Sequence, residues 1–472
     1  MNSKRQIILI AISAAAIPAS LLGYGPTGHE IVGGIADKVI ANTPAAQKIY
    51  ALTDGITLER ASTIADEIKA WDKNGVDDPN SFPNYANKYP KIDKQLREFW
   101  RANPPTPDST SATPSHHWFH YTDVPVLNPQ KYADGKTGRT QWDIVNMIGY
   151  CVDVVRGDVP EDNPRKITKP VAIILLAHFV GDIHEPLHVG AEYFNRAGQP
   201  VDPDKGQAGL EDEGGNTLML RLTRGRSEVL DKRGLKLHGF WDSETVAANL
   251  PAMPADLSRE ERFKLIEPAK RKIIDRFAKE EPKSWRAPAN VALKNYGEFW
   301  ADDILPVARE AHERLQFINV HETEDQGKTV MAGDAREKNT PDRVGYLDWT
   351  KKVVADELHK AGWRLADLLS QAVGSTSTNA TAPIASPEPI IGPPGKAEET
   401  PASTEKPPAA PSPPTATAPP QSDFGSYPAN YQEIVTTWMK KYSLNGSRIE
   451  WQGEPKPGEM PRPDGRNWSG TW

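Results

Sequence analysis

Histidine and acidic side chains recur along this chain in five short segments, at spacings suited to metal-assisted hydrolysis. In chain order these are YGPTGHE with Tyr24 and His29, ADEIKAW with Asp66 and Lys69, HYTDVP from His120, HFVGDIHEPLH with His178, Asp182 and His188, and HGFWD with His238 and Asp242. An i,i+4 pair on a helix lies on one face and points one way, so His178/Asp182 and His238/Asp242 can each grip one ion. Asp182 falls in the apolar run AIILLAHFVGDI, where an unpaired carboxylate is costly and a cation removes the cost. With 11 histidines in the chain, about one His-x-x-x-Asp pair is expected by chance. A lone helical histidine is more often a surface or satisfied core residue, so the ordered combination carries the weight.

Composition narrows the metal. Cys151 is the single cysteine, which excludes an intrachain disulfide and any multi-thiolate site. Imidazole and carboxylate ligands suit zinc, and clustered ions suit phosphoester hydrolysis. A net charge of −7 and a pI near 5.9 lack the basic stripe by which most nucleic-acid binders neutralise phosphate. Bound zinc would be an alternative source of positive charge.

The segments must be held by a helical domain. From Tyr24 to about Val373, apolar residues recur at helical spacing over Ile31–Ala41, Ala61–Trp71, Thr140–Arg156, Lys169–Asp182, Arg259–Lys279, Asn290–Leu315 and Trp349–Ala372. Strand signals are short, the best being Thr217–Leu222, and the domain reads as all-α or nearly so. Gly75–Ser115 and Asn195–Gly215 read as turn-rich loops, with a short helix available at Asp93–Arg101.

Outside this domain the chain changes character. Lys4 and Arg5 precede the uncharged apolar run Ile7–Ile17, the n-region and h-region of a signal peptide spanning 1–23. The run is shorter than the roughly 20 residues of a membrane span, so a secreted or periplasmic protein with no stable span after processing is expected. Ala19, Ser20 and Gly23 offer several cleavage points, and Leu21 is a poor residue three positions before a cut after Gly23. Residues 374–422 are rich in Pro, Ala, Thr and Ser and read as a disordered linker. Residues 423–472 form a small tail with a helical pattern at Ala429–Tyr442 and a strand candidate at Ser447–Gln452.

Taken in order, Tyr24-x4-His29, Asp66-x2-Lys69, His120-Tyr121-x-Asp123, His178-x3-Asp182-x5-His188 and His238-x3-Asp242 resemble the ligand motifs of the single-strand-specific zinc nucleases of the S-one/P-one type. GDIHEPLHVG, the later GGN at Gly214–Asn216 and LHGFWD strengthen the likeness, which covers roughly Tyr24 to Val373. The resemblance implies a multi-helix fold shared with zinc phospholipase C and three zinc ions. One would be held by Asp66, His120, His178 and Asp182, and a second by His188, His238 and Asp242. The third would take the α-amino nitrogen and carbonyl oxygen of a processed Tyr24, with His29 and a bridging Asp182.

The same resemblance implies hydrolysis of single-stranded DNA or RNA and of 3′-nucleotides to 5′-phosphate products by a hydroxide held between ions. Asp66 would orient it and Lys69 would stabilise the phosphate, while Tyr121 and Asp123 would stack on and hydrogen-bond a base. The bland alternatives are a solvated helix lysine for Lys69, the weaker reading there, and a core aromatic for Tyr121. His184, His116 and His117 have no ligand role in the pattern. Lys69 stands where arginine is frequent, and Tyr24 where tryptophan is usual. Two rivals are a zinc phospholipase C, whose second His-x-x-x-acid pair ends in Glu rather than Asp242, and a noncatalytic exported binding protein. The complete ligand set disfavours the latter.

Overall fold

The computed structural model describes residues 24–374 except 79–80, 107–114, 129–130, 223–234, 253, 255–256 and 326, and the backbone of Glu459–Pro461 and Asn467–Ser469. The expected signal peptide, the linker beyond Gly374, and the patterns at Ala429–Tyr442 and Ser447–Gln452 lie outside the described residues. In the tail, the two described strands pair antiparallel with Trp468 opposite Met460.

Among the described residues, eight longer helices build the domain: α1 (Gly25–Val39), α2 (Pro44–Leu52), α3 (Pro90–Ala102), α4 (Ile144–Arg156), α5 (Lys169–Asp182), α6 (Arg259–Phe277), α7 (Tyr296–Glu313) and α8 (Tyr346–Gly374). The helix-rich reading therefore holds. Helix α5 is the axis of the core: every residue from Pro170 to Asp182 is buried, as expected of a helix that is apolar all round. Thr168 caps its start, accepting from the Val171 amide, with Pro170 in the first turn. Helices α1, α4 and α8 pack on it. Close approach of α1 and α8 depends on Gly362, where a Cβ would lie 2.5 Å from Ile35 Cβ.

Three departures from the sequence reading bear on the site. The helix expected over Ala61–Trp71 is broken into Leu58–Ala61, Ile64–Glu67, a 3₁₀ turn at Ile68–Ala70 and Trp71–Asn74. In the 3₁₀ stretch, residues three apart eclipse one another. The strand expected at Thr217–Leu222 is present as β1 (Leu218–Arg221); the second departure is an unforeseen hairpin of β2 (Leu315–Asp325) and β3 (Lys328–Glu337) that joins it in a sheet of order β1-β3-β2. Leu315 thus opens a strand instead of closing a helix. The hairpin carries no run of Val and Ile, and of β2 only Leu315 is buried, so it lacks the half-buried alternation that marks a strand. Third, the loop reading is incomplete: in Gly75–Ser115 the short helix expected at Asp93–Arg101 is the longer α3, and Asn195–Gly215 contributes to a small sheet of Tyr193–Phe194, Pro200–Val201 and Leu210–Glu211. Helix α2 was also missed, although Thr43 caps it and Pro44 begins it.

Candidate metal centre and substrate cavity

The C-terminal end of α5 delivers His178 and Asp182, both fully buried. His178 Nδ1 donates to the Ser62 carbonyl at 2.6 Å, which leaves its Nε2 as a lone pair. That Nε2 lies 3.0 Å from Asp182 Oδ2 and 3.0 Å from His120 Nδ1. His120 Nδ1 lies 2.9 Å from the same carboxylate oxygen. Asp66 Oδ1 completes the group at 3.6 Å from His178 Nε2 and 3.9 Å from His120 Nδ1. Ligand atoms about 2.0–2.1 Å from a tetrahedral zinc lie about 3.4 Å apart, so His120, His178 and Asp182 have the spacing of one coordination shell, with Asp66 next to its two imidazoles.

On the other carboxylate oxygen, His29 Nε2 approaches Asp182 Oδ1 to 3.2 Å, and neither atom has a directed hydrogen bond. His29 stacks on His178 with ring centroids 3.9 Å apart. Gly181 makes room for this, since a Cβ there would sit 2.6 Å from His29 Nδ1. Tyr24 is buried, its hydroxyl donating to the His184 carbonyl. The adjoining Gly25, at φ +49°, has its Cβ position 3.2 Å from the Asp242 carbonyl oxygen. The start of the described chain is thereby seated beside Asp242.

A further cluster joins His188, His238 and Asp242. His188 Nδ1 donates to the His120 carbonyl and His238 Nδ1 to the Gly214 carbonyl, each at 2.8 Å. Both Nε2 atoms therefore point at Asp242, at 4.0 Å and 3.5 Å. A π-helical turn at Phe240–Glu244 presents that carboxylate, a distortion frequent at functional sites. Both Nε2 atoms and both Asp242 oxygens are buried without hydrogen-bond partners, and native proteins rarely leave such atoms orphaned. Buried Glu185, with two orphaned oxygens, also groups with His188 and His238. These His/Asp groups can hold metal.

The electrostatics are divided between the clusters. Burial raises Asp182, but the nearby His178 and His188 and hydrogen bonds from His120 and His178 outweigh it and hold the carboxyl well below its ordinary range. Asp66 is likewise raised by burial, yet Lys69, His178 and His120 bring it down to about 2. Asp242 goes the other way: burial, then Glu185, Asp182 and Asp66, push it well up. Burial is also the main cause that raises Glu185. A cation among Asp242, His188 and His238 would favour the ionised carboxylate.

The clusters open onto a cavity of about 290 Å³ whose lining includes His120, His188, His238, Lys69, Tyr121 and Asp123. All three expected substrate residues thus face one space. Lys69 Nζ lies 2.7 Å from Asp66 Oδ1. Tyr121 meets Trp118 edge to face at 5.9 Å. Asp123 is raised by burial and then by Glu211.

A family model described as S1/P1 Nuclease matches residues 24–374. The chain belongs to the S1/P1 nuclease family. Among curated relatives, Endonuclease 4 of Arabidopsis thaliana is 29% identical over 147 residues, covering 29% of this chain and 40% of that protein. Endonuclease 1 of the same plant is 33% identical over 148 residues, covering 28% of this chain and 39% of the relative. The matched stretches thus span about two fifths of those relatives' length. This S1/P1 nuclease family member also carries site residues that its sequence did not disclose. Lys328 Nζ lies 4.5 Å from the centre of the Trp118 ring, and it comes from the unforeseen hairpin. Glu185 stood within GDIHEPLH, but its burial was not visible there. Trp118 sits in the aromatic-dense HHWFHY, the one signal that could have marked it.

Proposed function

We propose that this chain is an exported, zinc-dependent phosphodiesterase that cleaves single-stranded DNA or RNA and 3′-nucleotides to 5′-phosphate products. The observation that carries the reading is the convergence of His120 and His178 on one oxygen of Asp182, with Asp66 beside both imidazoles and His29 at the other Asp182 oxygen. Its substrate class is supported by membership of the nuclease family.

Asp66, His120, His178 and Asp182 would hold one zinc ion, His188, His238 and Asp242 a second, and His29, Asp182 and the processed N-terminus of Tyr24 a third. When bound, the ions supply an acidified water and positive charge for the phosphate. Asp66, ionised and fixed by Lys69, orients a water by accepting its proton in a hydrogen bond. Lys69 faces the cavity and adds charge to the phosphate as negative charge builds on it. Tyr121 offers a face on which any base can stack, which is sequence-tolerant. With its carboxyl raised by burial, Asp123 can retain a proton and donate to a base edge.

Export rests on the n-region and apolar run ahead of residue 24, and the family match begins at that same residue. Among the described residues, no helix is long and apolar enough to cross a membrane. The test is a substrate comparison with the purified mature protein. Conversion of single-stranded DNA to 5′-phosphorylated fragments is expected. Release of phosphocholine from lipid, with single-stranded DNA left intact, would replace the reading with a zinc phospholipase C.

A further inference from the structure

The broken helix around Lys69 sets up a second histidine–carboxylate pairing next to the first. Asp66, Lys69 and Asp72 are spaced by three across the 3₁₀ turn Ile68–Ala70, which stacks them along one side. Facing them, His117 and His120 are also three apart, on the 3₁₀ helix His116–His120. His120 Nδ1 lies 3.9 Å from Asp66 Oδ1, and one turn further along both segments His117 Nε2 lies 2.5 Å from Asp72 Oδ2. The juxtaposition that helps to build the buried cluster is therefore repeated at the cavity rim.

Three donors meet there. His116 Nε2 lies 3.5 Å from Asp72 Oδ1, and the ligand atoms of Asp72, His116 and His117 all fall within 4.8 Å of one another. His116 is 2% exposed, and its Nε2 has no directed hydrogen bond. A buried, unpartnered ring nitrogen aimed at a carboxylate is a ligand atom awaiting a cation or a proton. Burial lowers His116 to about 4, outweighing the pull of the neighbouring Asp72 carboxylate, so at neutral pH the ring keeps a lone pair. Trp100 Nε1 donates to Asp72 Oδ1 at 2.9 Å and fixes the carboxylate. Asp72 and His117 also line the cavity.

The geometry points to a further divalent-cation site, formed by Asp72, His116 and His117, that takes zinc and opens onto the substrate cavity. Two imidazoles and a carboxylate leave at least one position of a tetrahedral ion for an outside ligand. In this cavity that ligand is a non-bridging phosphate oxygen of the strand, away from the bond being cut. The phosphate role rests on the nuclease reading; the metal site itself does not. Such a cation would offset Glu213 and Asp325, acidic residues that also line the cavity.

Zinc-edge anomalous diffraction from crystals of the mature full-length protein tests the site. A peak bounded by Asp72, His116 and His117 is expected, separate from scattering at Asp182. Asp72→Asn and, as a second variant that spares the buried ring, His117→Ala should each abolish the rim peak and lower the zinc-to-protein ratio by about one per chain. They should leave scattering at Asp182 in place. The KM of Asp72→Asn should rise more for a single-stranded oligonucleotide than for a dinucleotide, and an equal change would overturn the phosphate role. Scattering at Asp182 with none at the rim would show a plain Asp72–His117 hydrogen bond and overturn the site, leaving the nuclease reading intact. Lack of scattering at Asp182 would instead overturn the nuclease reading.

Discussion

His29 Nε2 and Asp182 Oδ1 stand 3.2 Å apart without a directed hydrogen bond, one from the first turns of α1 and the other from the last turn of α5. The opposite oxygen of Asp182 faces His120 and His178. One buried carboxylate thus divides its two oxygens between two groups of imidazoles, the arrangement of a bridging ligand. Gly181 controls the first of these contacts. In Gly181→Ala the new Cβ would fall 2.6 Å from His29 Nδ1 and displace the ring, at an overpacking cost of about 1–3 kcal/mol. Metal affinity should fall roughly 10- to 100-fold, as when ligand orientation is lost. Competition against a zinc chelator, together with a thermal melt, checks both effects; unchanged values would contradict the role given to His29.

Lys69 is the one cation placed by the Asp66 motif in both the cavity and the carboxylate pair. Lys69→Ala should reduce kcat/KM for single-stranded DNA on the order of 100-fold, the scale of one preorganised electrostatic contact. Lys69→Arg, which keeps the charge and adds a bidentate fork, should stay within about tenfold of the parent. Steady-state kinetics on both variants decide the matter, and a fully active alanine variant would make Lys69 an ordinary helix lysine.

A pH dependence of stability comes from a buried group beside the small sheet. Burial pushes Glu192 up to about 7, opposed by His312 and reinforced by Asp212. His312 is itself lowered by burial but raised overall by Asp212. Because the folded Glu192 binds its proton more tightly than the unfolded chain does, its contribution is fully present below about pH 4.5. It is lost as pH rises to about 7. His312 acts with the same sign, losing its contribution as pH rises through its folded value. The Glu192 part amounts to at most about 3 kcal/mol. Denaturant melts from pH 4.5 to 8 should show this decline, and Glu192→Gln should flatten it; an identical slope in the variant would contradict the assignment.

The clustered histidines and carboxylates were legible in the sequence because metal chemistry restricts residue type and because His178 and Asp182 share the face of an uninterrupted helix. Asp66, Lys69 and His120 were legible as members of an ordered set, but not their register. The helix break at Ser62–Thr63, where the Ser62 carbonyl accepts from His178 of α5, and the 3₁₀ turn after Glu67 are invisible to an apolar repeat. They are also what align Asp72 with His117, which is why that pair escaped notice. Lys328 was out of reach for another reason. It begins β3, and its hairpin exposes polar residues on both faces, so no periodicity announced a strand whose end borders the cavity.

The central claim is that the buried histidines and carboxylates hold zinc for phosphodiester hydrolysis, and its most direct measurement is activity against metal content in the mature protein. Dialysis against a strong chelator should remove the bound zinc and abolish cleavage of single-stranded DNA, and added Zn²⁺ should restore both together, with 5′-phosphate ends on the products. Undiminished cleavage by protein that retains less than one zinc per chain would contradict the account.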